Sequence, residues 1–148
     1  MSFRFTLAPL LRLRQSIERQ RALTLQEANL HVSRAQENLG QLERSLSESA
    51  QSDATALQTG RTAAELQFAS VLRENLHLFR AELESDIRKL EFLRQQALGE
   101  YHQAYRERDV LETLRARQRR AYQQEKLRRQ QQELDAAYLL QRWHRRRV

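Results

Sequence analysis

The sequence predicts an all-α fold: two long helices in an antiparallel coiled-coil hairpin, the second helix longer and overhanging at its C-terminal end. Three observations predict it. Leu76, Leu83, Ile87, Leu90, Ala97, Tyr101, Ala104 and Leu111 recur at helical spacing, with Arg80, Arg94 and Arg108 filling the intervening places in steps of 3 and 4. This is the period of an apolar seam on one helix wound against another. An upstream stripe, Leu25, Ala28, Val32, Ala35, Leu39, Leu42 and Leu46, keeps the same steps. Each seam is too narrow to bury itself, so each requires the other. Between them the pattern fails at Ser45, Ser47, Ser49, Ser52, Asp53, Thr55, Thr59, Gly60 and Thr62. Such side chains compete with the helical backbone for hydrogen bonds and mark a bend.

The elements follow in order. Residues 1–7, Met-Ser-Phe-Arg-Phe-Thr-Leu, alternate apolar and polar as a short extended arm. Thr6 can cap a helix, and Pro9 suits a first turn, where its missing N–H has no intrahelical partner. Leu10, Leu13 and Ile17 then mark an apolar face that joins the regular seam at Leu25 after a 4-4 stutter through Arg21. The first helix is expected over 8–51 and the turn over 52–61, within a single coiled-coil domain spanning 1–148. Thr62 and Glu65 have the spacing of a capping box, so the second helix is expected over 62–143, with 144–148 a frayed tail. A hairpin turning near residue 56 sets Leu10 opposite the region of His102 and leaves residues beyond about 112 as an overhang, which as isolated helix is marginal in water. A break at Gly99 would give three helices in a bundle instead. The seam passes through Gly99 in register, and no Pro or polar cluster adjoins it.

Composition agrees. At 148 residues the chain fits one domain, and 30% charged residues with one Pro and three Gly suit long helices better than a globular core. There is no Cys for a disulfide or a thiolate metal site, and no apolar run approaches the roughly 20 residues that span a bilayer. Arg4, Arg12 and Arg14 interrupt any leader-like apolar region, which favours the cytosol. The net charge of +7 is unevenly spread: residues 1–22 carry five Arg and one Glu, residues 23–114 ten basic and fifteen acidic side chains, and residues 115–148 eleven basic and three acidic. The hairpin brings the two basic tracts together at one end. That end would be steered towards an acidic protein cavity, nucleic acid or an anionic membrane. Arg outnumbers Lys by 24 to 2, which suits phosphate forks and protein interfaces alike. The plainer reading is a solvated face that keeps a coiled coil soluble.

Catalytic chemistry finds no footing. His31, His77, His102 and His144 are too widely spaced for a local metal motif, and there is no glycine-rich phosphate loop. Glu82, Glu84 and Asp86 fan across a helix face, and Glu84 with Arg88 makes an ordinary i, i+4 pair. Two thin helices offer no desolvated pocket to tune a pKa. No enzyme, cofactor, metal or small-molecule substrate is expected. Tyr101 and Tyr105 read as packing residues, whereas Tyr122, Tyr138 and Trp143 fall among arginines on the overhang and read as a binding surface.

Phe3-Arg-Phe-Thr-Leu-Ala-Pro-Leu-Leu-Arg-Leu-Arg14, then Ile17-Glu18 and Leu25-Gln-Glu-Ala28, resembles the opening of the FliJ family, the small coiled-coil proteins of flagellar type III export. The run Glu125-Lys-Leu-Arg-Arg-Gln-Gln-Gln-Glu-Leu-Asp135 and the following Ala-Ala-Tyr-Leu-Leu-Gln-Arg142 is similar to the family's closing segment. The resemblance covers nearly the whole chain and implies a central-stalk-like hairpin. Its partners would be the hexameric export ATPase FliI, the export gate protein FlhA and export chaperones. The ATPase-facing end would carry Arg4, Arg12, Arg14, Arg128, Arg129, Arg142, Trp143 and Arg145, and contact with the gate would involve Leu42 and Leu76. Ser45 and Ser49 stand where the family is expected to carry tyrosines. A cytoplasmic location at the inner face of the membrane, at the flagellar base, would follow. The related injectisome stalks share these features. The competing readings are a basic coiled coil on nucleic acid, which is not the expected partner, and a peripheral stalk subunit of a rotary ATPase.

Overall fold

In the computed structural model, which describes residues 3–147, α1 spans Ala8–Thr59 and α2 spans Ala63–Arg147. No strand occurs among the described residues. Met1 and Ser2 of the expected arm and Val148 of the expected tail lie outside them. Ion pairs between the helices rise along one as they fall along the other: Arg14 with Glu107, Arg21 with Glu100, Glu43 with Arg80 and Asp53 with Arg73. This is the expected antiparallel hairpin with a longer second helix. α2 runs unbroken through Gly99, which excludes the three-helix bundle.

The hairpin packs as two units, Arg19–His102, and Met1–Glu18 with Gln103–Val148. In the first, Val32, Ala35, Leu42, Ile87 and Ala97 are buried. Leu25, Ala28, Leu39, Leu46, Leu76, Leu83, Leu90 and Tyr101 are half-buried. Both predicted stripes therefore face inwards, as a regular i, i+3/i+4 apolar row does when each helix is covered by the other.

The turn is shorter than expected. Instead of ending at residue 51, α1 continues to Thr59, and only Gly60, Arg61 and Thr62 separate the helices. The hydroxyls expected to break the helix bond back into it. Ser45 Oγ donates to the Gln41 carbonyl at 3.1 Å, and Thr55 Oγ1 donates to those of Gln51 at 3.2 Å and Ser52 at 2.9 Å. Back-bonding of this kind lets Ser and Thr remain helical. The helix stops at Gly60, whose φ of 81° lies in the left-handed region that favours a residue without Cβ. The capping box forms as predicted: Thr62 N–H donates to Glu65 Oε2 at 3.1 Å, and Glu65 N–H donates to Thr62 Oγ1 at 3.4 Å. Asp53 ties the bend together, accepting from Arg61 at 3.0 Å and from Arg73.

In the second unit α1 starts on a backbone turn, with Ala8 N–H donating to the Phe5 carbonyl at 3.1 Å and Pro9 in the first helical turn. Here the expected apolar face needs correction. Leu11 and Phe5 are the buried residues, at 3% and 8% exposed, whereas Leu10 and Leu13 are exposed at 39% and 55%. There is no stutter at Arg21. Counting back in sevens from Leu25 reaches Glu18 and Leu11, so the heptad continues with Arg14 and Glu18 in seam places. These charged residues are matched across the helix pair. Arg14 bonds to Glu107, Gln15 to Glu112 at 3.3 Å, and Glu18 lies 2.7 Å from Arg108. The start of α1 therefore meets α2 at about 107–115 and not near His102. In a hairpin, moving the turn a few residues moves every partner by twice as many. The paired region also reaches further than 112: the Phe3 and Tyr122 rings approach to 5.8 Å. Beyond the expected boundary at Trp143, α2 continues to Arg147.

Candidate functional site

The expected ATPase-facing residues all lie in the unit formed by Met1–Glu18 and Gln103–Val148. Arg4 and Arg12 are exposed, and Arg12 shares a shallow groove with Phe3, Phe5, Leu11, Gln15 and Arg115. The alternating arm builds this groove: Phe5 folds inwards beside Leu11, which places its polar neighbours outside. Arg14 differs, being half-buried and neutralised by Glu107. It stitches the helices together, whereas Arg4 and Arg12 stand outward on this unit.

On α2, Arg128 and Arg129 converge on one carboxylate. Arg128 donates through Nε and Nη2 to the two oxygens of Glu125 at 2.9 Å each, and Arg129 Nε donates at 3.0 Å. These hydrogen bonds, Arg128 first, bring Glu125 down to about 2, and the same contact raises Arg128. Further along, Arg142, Trp143 and Arg145 are exposed, with Trp143 and His144 ring centroids 6.0 Å apart. From Lys126 to Arg146 every residue is exposed. Trp143 lies about 30 Å along the helix axis from Tyr122, where the arm packs, at about 1.5 Å per residue. The predicted residues are thus gathered in one unit as three groups: the arm groove, the Glu125 fork and the helix end.

Leu42 is buried and Leu76 half-buried, both within the seam of the other unit. Their side chains face the opposing helix, and their exposed neighbours form the surface there. Several residues that shape the candidate site went unpredicted. Arg108 lies between Glu18 at 2.7 Å and Glu112 at 3.0 Å, with its guanidinium 4.9 Å from the Tyr105 ring centroid. Burial works against its charge, but Glu18 and Glu112 together outweigh burial and leave its pKa raised. Heptad counting back from Leu25 carries the signal for Glu18, which an apolar-only search passes over. No spacing rule points from Phe3 to Tyr122.

Among the described residues no group of three His, Asp or Glu could hold a metal, and no helix is long and apolar enough to cross a membrane. The model of the flagellar FliJ protein family matches residues 3–147, from the Phe-x-Phe arm to the arginine-rich helix end. The chain belongs to the FliJ family. A FliJ-family chain is a non-catalytic, flagellar export-related protein. No curated protein and no solved structure matches it.

Proposed function

We propose that this FliJ-family protein is a central stalk of the flagellar export ATPase, binding and stimulating the FliI hexamer and linking it to the gate protein FlhA and to export chaperones. One observation carries the reading: Arg4, Arg12 and Arg14 of the first basic tract and the whole of the second, far apart in sequence, fall in the same unit of a family hairpin, with Arg19 and Arg21 in the other unit. Arg4, Arg12, Arg128, Arg129, Arg142, Trp143 and Arg145 form the ATPase-facing surface, with Arg14 holding the helices in register. The chain acts in the cytoplasm, peripheral to the inner face of the membrane at the flagellar base. Contact with the gate uses the surface around Leu42 and Leu76.

The mechanism requires no chemistry from this chain. An asymmetric two-helix element inside a six-fold ring cannot touch every subunit alike. It therefore favours some nucleotide states over others through differential contacts. Cations on long flexible stems also steer the encounter with an acidic pore. The test is ATP turnover by purified FliI with and without the full chain. Stimulation is expected, and it should fall severalfold when Arg128, Arg129, Arg142 and Arg145 are all changed to Gln. Unchanged turnover on adding the wild-type chain would refute the stalk role.

A further inference from the structure

We propose that the last turns of α2 form an amphipathic foot that binds anionic lipid surfaces. Ala136, Leu139, Leu140 and Trp143 stand at i, i+3, i+4 and i+7, one continuous apolar stripe on a helix. The stripe is open, with Leu139, Leu140 and Trp143 exposed at 62%, 61% and 51%. Arg142 and Arg146 flank the stripe on one side, about a fifth to a third of a turn round the axis at ~100° per residue, and Arg145 lies nearly opposite it on the outer face. No Asp or Glu occurs from Ala136 to Arg147. An apolar stripe of Leu and Trp beside an arginine face is the arrangement of helices that lie in a bilayer interface. The leucines and the Trp ring enter the boundary between headgroups and acyl chains, while the arginine stems reach sideways to the phosphates.

Charge selects this occupant. A groove on a protein partner would accept the same stripe but would not require twelve residues without an acid. A nucleic acid would meet the arginines yet leave both leucines in water. The stripe also lies within the stretch from Lys126 to Arg146 in which every residue is exposed, so the helix can lie flat without unpacking the seam. The foot shares Arg142, Trp143 and Arg145 with the ATPase-facing surface, so this helix end engages either the ring or the lipid at one time. Vesicle binding by the chain alone needs neither FliI nor FlhA and tests the foot separately.

Trp143 is the single Trp of the chain, so its emission reports on the foot directly. The full-length protein is titrated with vesicles of phosphatidylcholine alone and of phosphatidylcholine with about one third phosphatidylglycerol. Blue-shifted emission and co-sedimentation with the anionic vesicles only, weakening as salt is raised, are expected. The triple change Arg142→Gln, Arg145→Gln and Arg146→Gln should lower binding about a hundredfold, each charge supplying a factor of about five. The double change Leu139→Ser and Leu140→Ser should lower it at least about tenfold while circular dichroism stays unchanged. Equal binding to neutral vesicles overturns the proposal, as does a leucine variant that binds like wild type. A Trp143 shift on adding FliI, with none on either vesicle, assigns the stripe to a protein groove and overturns it equally.

Discussion

Leu11 and Leu13 are two residues apart and chemically identical, yet their burial is opposite, 3% against 55% exposed. Truncating a covered leucine removes its transfer energy and leaves a cavity, whereas truncating an exposed one removes little. Leu11→Ala should therefore cost about 2–4 kcal/mol and Leu13→Ala under about 1 kcal/mol in urea unfolding. Equal effects would place the seam elsewhere. Glu125 makes a second residue-scale case. Its carboxyl titrates near 2 because Arg128 and Arg129 bond to its charged form. A depressed carboxyl contributes stability above its unfolded pKa of about 4.5 and loses it as pH falls through the folded value. The helix around residues 125–129 should thus loosen between about pH 4.5 and pH 2, and Glu125→Gln should remove that step. NMR titration of the Glu125 carboxyl carbon and of the neighbouring amides reads both effects.

At the scale of the element, two glycines have opposite roles within the same hairpin. Gly60 ends α1 at φ 81°, where a Cβ is strained whatever the space around it. Gly99 lies within α2, and a Cβ built there meets nothing within 4 Å. Gly60→Ala should destabilise by about 1–2 kcal/mol, and Gly99→Ala should stabilise by up to about 1 kcal/mol. Thermal melts of the two variants shifting in the same direction would contradict this. The same elements show what a sequence can disclose. The seams of α1 from Leu25 and of α2 from Leu76 were legible because an apolar row at heptad spacing has one way to be buried. The capping box at Thr62 and Glu65 was legible because both its bonds are local. The end of α1 was not: the Ser and Thr residues before it can break a helix or bond back into it with the same residue types, and the outcome depends on what the opposing helix offers. Asp53 shows the difficulty, since Arg61 follows closely in sequence but Arg73 comes from α2. Of the candidate site, the basic tracts could be read from charge alone. The division of labour within them could not, because Arg14 is neutralised by a residue far away in the sequence.

At the scale of the whole molecule, one hairpin uses two kinds of seam. In the unit Arg19–His102 the contact is apolar, with Val32, Ala35, Leu42, Ile87 and Ala97 buried. Among the described residues of the unit that carries both termini only Phe5, Leu11 and Ala104 are buried, and Arg14–Glu107 and Glu18–Arg108–Glu112 hold much of the remaining register. Salt leaves apolar burial intact or strengthens it, but it screens partly exposed ion pairs. Local opening should therefore be graded. In native-state hydrogen exchange, amides near Val32–Leu42 and Ile87–Ala97 should be the slowest. Those of 126–146, an exposed helix with no second seam, should exchange within about tenfold of unprotected rates. Raising NaCl from about 0.05 to 0.5 M shortens the screening length from roughly 14 to 4 Å. Exchange should then accelerate severalfold at 12–18 and 105–112 and hardly change near Val32 or Ile87. Uniform protection from Ala8 to Arg146, or a salt response in the apolar seam instead, would mean that the charged pairs do not hold the register of the unit bearing both termini.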